Sequence, residues 1–381
     1  MKIIPYGRQY IDSKDIQSVL KTLKNEKITT GPIVEKFENQ ISRYLNCKYI
    51  STCNSGTSAI FLAMQAIGVK KNDIIIMPSI NFVASYNVAK LLGAKVYLAD
   101  VNRFTGQMSP NDIEECCNKF NLKRVKAVIV MYNGGYPNNA EKFVKFKKKL
   151  KSFIIEDGCH ALGAKYLSNN KIFKIGSCAH VDISTFSLHP VKSITTGEGG
   201  IVATNSKNLD KKIKNLRSLG ITKDKKKHWK YDVIYTGLNL RLNDFQCALG
   251  ISQLKKIKLF MSARKKIVKK YNKELKKIKQ ISCQVLSKNY SSSNHLYLIN
   301  LKERNHKIKN NLIEYMLKNN IVLQYHYIPL FKFTIFKDKY LGKNAGYYYD
   351  TTVSLPIYYG LTIKDHNLVI SKLKSFFTNY C

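Results

Sequence analysis

The chain has 381 residues, with 64 Lys or Arg against 25 Asp or Glu, a formal charge of +39, and 44% of its residues are hydrophobic. That length and apolar content can fill two or three cores, which excludes a disordered chain and a small disulfide scaffold. No stretch approaches the roughly 18 consecutive apolar residues of a membrane helix, and the opening MKIIPYGRQY lacks the apolar core of a secretory leader, so a cytoplasmic protein with no membrane partner is expected. Only eight of the basic residues are Arg, and the Lys surplus accompanies many Asn, Ile and Tyr. Lys is poorer than Arg at bidentate phosphate recognition, so the charge reads as solvated Lys faces rather than a specific nucleic-acid surface.

From Ile11 to Thr204 short apolar runs alternate with helical patterns. The runs are 74–78 (IIIMP), 95–100 (KVYLAD), 127–132 (AVIVMY), 153–157 (FIIED), 182–187 (DISTFS) and 200–204 (GIVAT). Helices are expected at 55–67, 82–92, 112–120 and 140–150. This alternation predicts an α/β domain with a mostly parallel sheet covered on both faces. After Arg241, apolar residues from Leu242 to Ile278 recur at close to helical spacing, which predicts long helices with Lys-rich outer faces. Beyond Ile281, strands are expected in HLYLINL, IVLQYHY and TVSLP and helices near 307–319 and 364–377, a smaller α+β domain. The division is placed at 1–250 and 251–381. Nine cysteines without Cys-x-x-Cys pairs or nearby metal-like His spacing read as reduced, mostly buried thiols, and no metal site is expected.

Three segments carry chemistry. In TCNSGTSAIFLAMQAIG a short strand enters a Gly/Ser/Thr turn at 54–58 and then a helix, whose first amides and the Thr57 and Ser58 hydroxyls could hold a phosphate. An ordinary N-cap explains the same residues, and neither GxxxxGK[ST] nor GxGxxG is present. FIIED ends in Asp157, which at the end of a buried strand can keep a pyridine nitrogen protonated and so make pyridoxal phosphate an electron sink; Glu156 and Asp157 also suit a plain strand-end turn. In FSLHPVKSITTGEGGIVAT, 35 residues further on, Lys192 follows a strand end among small and hydroxylated residues, where a neutral amine can bond to an aldehyde cofactor.

In this order the three segments resemble the DegT/DnrJ/EryC1/StrS family, pyridoxal-phosphate sugar aminotransferases of aspartate-aminotransferase fold (fold type I). The resemblance runs from ITTGPIVEKFENQISRYLNCKY through SINFVASYNVAKLLGAKVYLADV, IIEDGCHALGA and LNLRLNDFQCALGISQL to TVSLPIYYGLT. It implies pyridoxal 5'-phosphate as cofactor, Lys192 as the residue that bonds to it and shuttles the proton, Asp157 at its ring nitrogen and His160 at its phenolic oxygen. Phe82 would stack on the ring, and Gly56, Thr57 and Ser187 would bind the phosphate. Asn239 would reach the phosphate of a second subunit, so a homodimer is implied. An amino donor, L-glutamate in the family, and a keto-sugar would be the substrates. Relatives that dehydrate sugars carry His in place of the lysine, so Lys192 argues for amino transfer.

His295 in SSSNHLYLI, and Tyr325, His326 and Tyr327 in IVLQYHYIPL, resemble the branch that aminates C4 of UDP-4-keto-6-deoxy-N-acetylhexosamines, and FSLHPVKSITTGEGG resembles the pseudaminic acid enzymes. These residues and His189 are placed on the substrate side, although alternating aromatics in strands most often serve packing. MYNGGYPNNA replaces a more usual HLYG-type segment, so an altered substrate pocket is expected near Tyr132 and Asn133; Gly158 and Cys159 also depart from the common EDAAHA form. An aminotransferase for another keto nucleotide sugar, such as a dTDP-linked one, is the alternative. From a different class, a catalytically silent relative or a Lys-rich nucleic-acid-binding protein would rest on KDKKKHWK and KKIVKKYNKELKKIK.

Overall fold

The computed structural model describes residues 2–224, 226–227, 229–283 and 288–380; Lys225 and His228 of the KDKKKHWK run, and Cys381, lie outside them. In chain order the elements are α1 (Ser13–Leu23), α2 (Pro32–Leu45), β1 (Tyr49–Cys53), α3 (Gly56–Ala66), β2 (Ile74–Pro78), α4 (Val83–Leu91), β3 (Lys95–Ala99), α5 (Pro110–Phe120) and β4 (Ala127–Met131). Then follow α6 (Lys145–Lys149), β5 (Phe153–Asp157), β6 (Lys165–Ser168), β7 (Lys171–Lys174), β8 (Ile183–Ser187), β9 (Gly200–Thr204), α7 (Lys207–Leu216), β10 (Ile221–Lys223), β11 (Tyr231–Val233), α8 (Asp244–Lys255) and α9 (Ile257–Leu275). The last are β12 (Ile281–Cys283), β13 (Tyr290–Ser291), β14 (Tyr297–Leu301), α10 (His306–Lys318), β15 (Lys339–Tyr340), α11 (Lys343–Thr351), β16 (Thr352–Leu355) and α12 (Ile363–Tyr380).

Eight strands form the main sheet in the order β1-β9-β8-β5-β4-β2-β3-β15. Only β9 runs against its neighbours; from β8 to β15 every pairing is parallel. Successive residues of the central strands feed opposite cores, as a period of two requires. Val128, Val130 and Ile154 join a cluster with Phe37, Ile41, Ile251 and Leu254. Ala127, Ile129 and Ile155 join another with residues of α3, α4 and α7. A third cluster combines the second half of α9 with β12, β14, β16, α10, α12 and Ile4 of the N-terminal segment. All six apolar runs of the first 204 residues are therefore strands, and the domain is α/β with a mostly parallel sheet covered on both faces, as expected.

Two expectations fail locally. Of the helix expected at 140–150, only Lys145–Lys149 is helical. Ala140, Phe143, Phe146 and Leu150 are buried at the helical spacing that suggested it, but Asn139 has φ +58° and the chain turns from there. IVLQYHY is not a strand; it makes isolated bridges at Ile321 and Gln324. The carbonyl of His326 is taken by side chains, Asn133 Nδ2 at 3.1 Å and Tyr348 Oη at 2.8 Å, so no ladder partner meets it there. The continuous apolar pattern after Leu242 is two helices that break at Lys256, whose ammonium bonds Asp12 and Asp15 of the α1 cap and first turn.

Asp244, at the end of LNLRLND, shows why ITTGP belongs with it. Its carboxylate accepts the Gly31 and Ile33 amides at 2.8 and 3.0 Å and caps α2 from a distance. A Cβ on Gly31 would lie 2.6 Å from Asp244 Oδ1, so glycine is needed there.

Glu156 and Asp157 lie side by side on β5 but face opposite ways. Glu156 is buried in the first core, where its carboxylate accepts from Ser184 Oγ (2.5 Å), Gly176 N (2.9 Å) and Tyr132 Oη (3.1 Å). Burial pushes its pKa up to about 7 despite those donors. A raised folded-state pKa means that stability is fully present below the unfolded value near 4.5 and is lost as pH rises toward 7. Glu156→Gln keeps the acceptor and removes the ionisation. Melting curves should show a fall in wild-type stability between pH 5 and 8, on the order of 3 kcal/mol, that is largely absent in Glu156→Gln. Parallel pH dependences for the two proteins would contradict this.

Candidate active site

The C-terminal ends of β2, β4, β5 and β8 open into a cavity of about 540 Å³, the place where open α/β sheets hold ligands. Lys192, Asp157, His160, Gly56, Thr57, Phe82, Ser187, His189, His295, Tyr325, His326 and Tyr327 all line it. Asn239, expected at a cofactor phosphate, does not, and neither does Ser58, whose hydroxyl was a candidate phosphate donor. Asn239 is exposed, its backbone bridges Ser218, and the carbonyl of the next residue, Leu240, accepts the Asn54 amide at 2.9 Å.

The floor is set by strand ends and tight turns. Asp157 terminates β5 and is 4% exposed, with Oδ1 accepting the Cys159 amide at 3.1 Å. Burial raises its pKa, opposed by Cys159 and by the Lys192 charge. Lys192 sits in the loop from β8 to β9, which closes on itself through Leu188 N to Gly199 O at 2.8 Å and Thr196 N to Leu188 O at 3.0 Å. Burial lowers the Lys192 pKa, and the neighbouring Cys159 and Asp157 resist the change. The loop ends against the turn before α3: a Cβ on Gly200 would lie 2.1 Å from the Ser55 carbonyl oxygen.

That turn is a built N-terminus. Ser55 caps α3 by accepting the Ser58 amide at 3.0 Å, and the Ser58 hydroxyl donates to Asn54 Oδ1 at 2.6 Å. The capping reading of this segment is therefore correct. It leaves the Gly56 and Thr57 amides, which have no carbonyl one turn back, directed out of the helix. Gly56 approaches Ser187 so closely that a Cβ would fall 2.8 Å from the Ser187 Cβ. Amides, hydroxyls and the positive end of an 11-residue helix thus converge on one side of the cavity.

The opposite wall carries rings. Phe82, the N-cap of α4, is 52% exposed and lies 5.7 Å from the Tyr327 ring. The His160 and His295 rings lie 4.3 Å apart between centres, tilted by 40°. Both imidazoles are held well below their usual pKa, first by burial, and the Lys192 charge pushes each further down. Nδ1 of His326 is taken by Ser354 Oγ at 2.7 Å, and the Tyr325 hydroxyl by Asn310 Oδ1 at 2.9 Å, so these two present ring surface more than free polar atoms. His189 is exposed at the rim.

Tyr132 and Asn133, expected near an altered substrate pocket, are buried directly behind the cavity wall, and neither lines it. They act one layer back, Tyr132 on Glu156 and Asn133 on the His326 carbonyl. Sequence reasoning missed Tyr6, which the N-terminal segment brings against His326 at 5.3 Å between ring centres. It also missed Asn81, 1% exposed, whose amide oxygen and nitrogen both lack a partner while it lines the cavity. A polar residue between a strand end and Phe82 was the available signal for Asn81; nothing in MKIIPY marked Tyr6.

These residues fit pyridoxal phosphate. The orphaned Asn81 amide, the free first-turn amides of α3, an exposed ring at Phe82, a buried carboxylate and a lysine of lowered pKa match a flat, anionic, pyridine-bearing aldehyde. Phe82→Ala should weaken pyridoxal phosphate binding about tenfold and leave the melting temperature of the cofactor-free protein unchanged, because the ring is half exposed without it. Equal cofactor affinity in the two proteins would remove Phe82 from the site.

Comparison with known proteins agrees with the geometry. Residues 9–374 match the DegT/DnrJ/EryC1/StrS aminotransferase family. The UDP-4-amino-4,6-dideoxy-N-acetyl-beta-L-altrosamine transaminase of Campylobacter jejuni (strain 81-176) is 38% identical over 98% of this chain and 97% of its own. The structure of Helicobacter pylori PseC, an aminotransferase involved in the biosynthesis of pseudoaminic acid, superposes with a TM-score of 0.90 at 30% identity, over 99% of this chain and 100% of that one. The pyridoxal-phosphate form of the putative sugar aminotransferase Spr1654 from Streptococcus pneumoniae has the same fold, with a TM-score of 0.88 at 24% identity over the whole of both chains.

Proposed function

The chain belongs to the DegT/DnrJ/EryC1/StrS aminotransferase family, and from that premise we propose that it transfers an amino group from L-glutamate to C4 of a UDP-4-keto-6-deoxy-N-acetylhexosamine, with pyridoxal phosphate as cofactor. The product would be a UDP-4-amino-4,6-dideoxy sugar of the kind used for pseudaminic acid, made in the cytoplasm. One observation carries the chemistry: a single cavity holds Lys192, Asp157 and the open N-terminus of α3 together. The choice of sugar rests on the near full-length similarity to the Campylobacter transaminase.

In this reading Gly56, Thr57 and Ser187 hold the phosphate and Phe82 covers one ring face. Asp157 keeps a proton on the ring nitrogen, which its buried carboxylate can do only by staying ionised beside the Lys192 charge. Pyridoxal phosphate, when bound, supplies the electron sink that allows an amino group to be exchanged between two carbon skeletons. Lys192 Nζ moves the proton between the carbons involved, a task for an amine of lowered pKa. His189, His295, Tyr325, His326 and Tyr327 form the wall that the sugar meets. Asn239, exposed and outside its own cavity, would reach the phosphate of a second copy in a homodimer. The division at residue 250 belongs to the same proposal, with Tyr6 crossing back from the N-terminus to the smaller part.

The sugar is tested by turnover of UDP-linked and dTDP-linked 4-keto-6-deoxy sugars with L-glutamate, the amino sugars being identified by mass. The expected result is kcat/KM at least about tenfold higher for the UDP-linked N-acetylhexosamine. A preference for the dTDP sugar would overturn the choice of substrate and keep the aminotransferase.

A further inference from the structure

We propose that Tyr327, and not His160, presents the donor that meets the phenolic oxygen of the cofactor, and that His160 is a positioning residue that aims it. The proposal rests on the pyridoxal-phosphate reading above and departs from the role that the family resemblance implies for His160.

Both ring nitrogens of His160 are already engaged. The Gly134 amide donates to Nδ1 at 3.3 Å, and Nε2 lies 2.7 Å from the Tyr327 hydroxyl. A backbone N–H cannot reverse its role, so Nδ1 is the acceptor and, in a neutral ring, Nε2 carries the hydrogen. Nε2–H then donates to the Tyr327 oxygen. Tyr327's own proton must point elsewhere, and this side chain lines the cavity with Asp157, Lys192 and Phe82.

The relay is anchored by backbone. Gly134 has φ +72° and Gly135 φ +85°, and a Cβ on Gly135 would lie 1.8 Å from Ser293 Oγ. Ser293 in turn donates to the His160 carbonyl at 2.5 Å, and the tilted His295 ring packs against the imidazole. This explains the NGG of MYNGGYPNNA, which departs from the family's usual segment. Burial, the Lys192 charge and His326 keep His160 neutral. Burial, with Asp157, Cys159, Tyr6 and Tyr348 around it, keeps Tyr327 a protonated phenol. A phenol O–H backed by a second N–H donor is suited to an anionic oxygen, since such hydrogen bonds are charge-assisted and reinforce along a chain.

The test uses wild type, Tyr327→Phe, His160→Ala and the double variant, each loaded with pyridoxal phosphate, with the visible band of the Lys192-bound cofactor titrated against pH and the cofactor dissociation constant measured alongside. A donor to the phenolic oxygen stabilises its anion, so losing it raises the pH at which the band titrates. Tyr327→Phe should raise the midpoint by about one unit, tenfold in the proton dissociation constant. His160→Ala should shift it in the wild-type background but by less than about twofold in dissociation constant once Tyr327 is Phe, as expected for residues that act as one unit. His160→Gln, whose amide can still donate to Tyr327, should titrate close to wild type and guards against collapse of the alanine variant. An unmoved Tyr327→Phe, or an equal His160→Ala shift in both backgrounds, overturns the proposal while the cofactor reading stands. A wild type without any visible band overturns the cofactor reading and the proposal together.

Discussion

Lys192→Ala is expected to abolish amino transfer, with turnover reduced roughly a thousandfold or more, and to leave the fold intact. The loop that carries Lys192 is held by its own backbone, through Leu188 to Gly199 and Thr196, and by the Thr195 hydroxyl on the Leu188 carbonyl at 2.9 Å. None of these bonds involves the lysine side chain. Among the described residues no other lysine lines the cavity, so no described neighbour can take over the amine. The loss should therefore appear in kcat, measured by mass detection of the amino sugar, with the melting temperature of the cofactor-free protein little changed. A small primary amine added to the buffer should restore part of the rate, since it returns the missing base to a space of the right size. A variant that keeps more than about a tenth of wild-type turnover would take Lys192 out of the chemistry.

Asp157→Asn is expected to cost about a hundredfold to a thousandfold in kcat/KM for both substrates. Asparagine keeps the shape and can still accept the Cys159 amide at the position of Oδ1, now 3.1 Å away. What it loses is the negative charge that can hold a proton on a ring nitrogen. Burial already raises the Asp157 pKa, and the Lys192 charge and Cys159 work against that rise. A neutral side chain there cannot keep the ring nitrogen protonated, so the carbon acid step slows whichever amino donor or keto-sugar is used. The two half reactions should fall together, because the carboxylate serves the cofactor and not one substrate. A loss confined to the sugar half reaction would instead place Asp157 on the substrate.

Most of the main sheet was legible in the sequence because its central strands are short apolar runs buried on both faces with helices between most of them; the edge strand β15, two exposed residues, carries no such signal and was not expected. The cavity residues near strand ends were legible for a related reason: Asp157, Ser187 and Phe82 sit where an apolar run stops and a polar turn begins. The strand-end position of Asp157 already suggested its role beside a plain turn; the roles of Ser187 and Phe82 came from resemblance alone. What the sequence hid depends on contacts far apart along the chain. Tyr6 reaches the cavity because Ile4 pairs with Ile321 and joins the third core. IVLQYHY has strand composition, yet Asn133 and Tyr348 claim its His326 carbonyl. The stretch 140–150 has helical spacing, yet its apolar residues are buried mostly from turns. The two-residue turn Asn169 and Asn170, both with positive φ, closes the β6–β7 hairpin, a signal of recognised type that was present and unread.

The most direct measurement follows the visible band of the purified protein through one complete cycle. Pyridoxal phosphate should give a yellow band; L-glutamate should bleach it with release of 2-oxoglutarate; and, after removal of the donor, a UDP-4-keto-6-deoxy-N-acetylhexosamine should restore it with one equivalent of UDP-4-amino sugar. Lys192→Ala should fail to complete the cycle. A wild-type band that no amino donor bleaches, or a bleached protein that no keto nucleotide sugar restores, would contradict assignment of this cavity to sugar amino transfer.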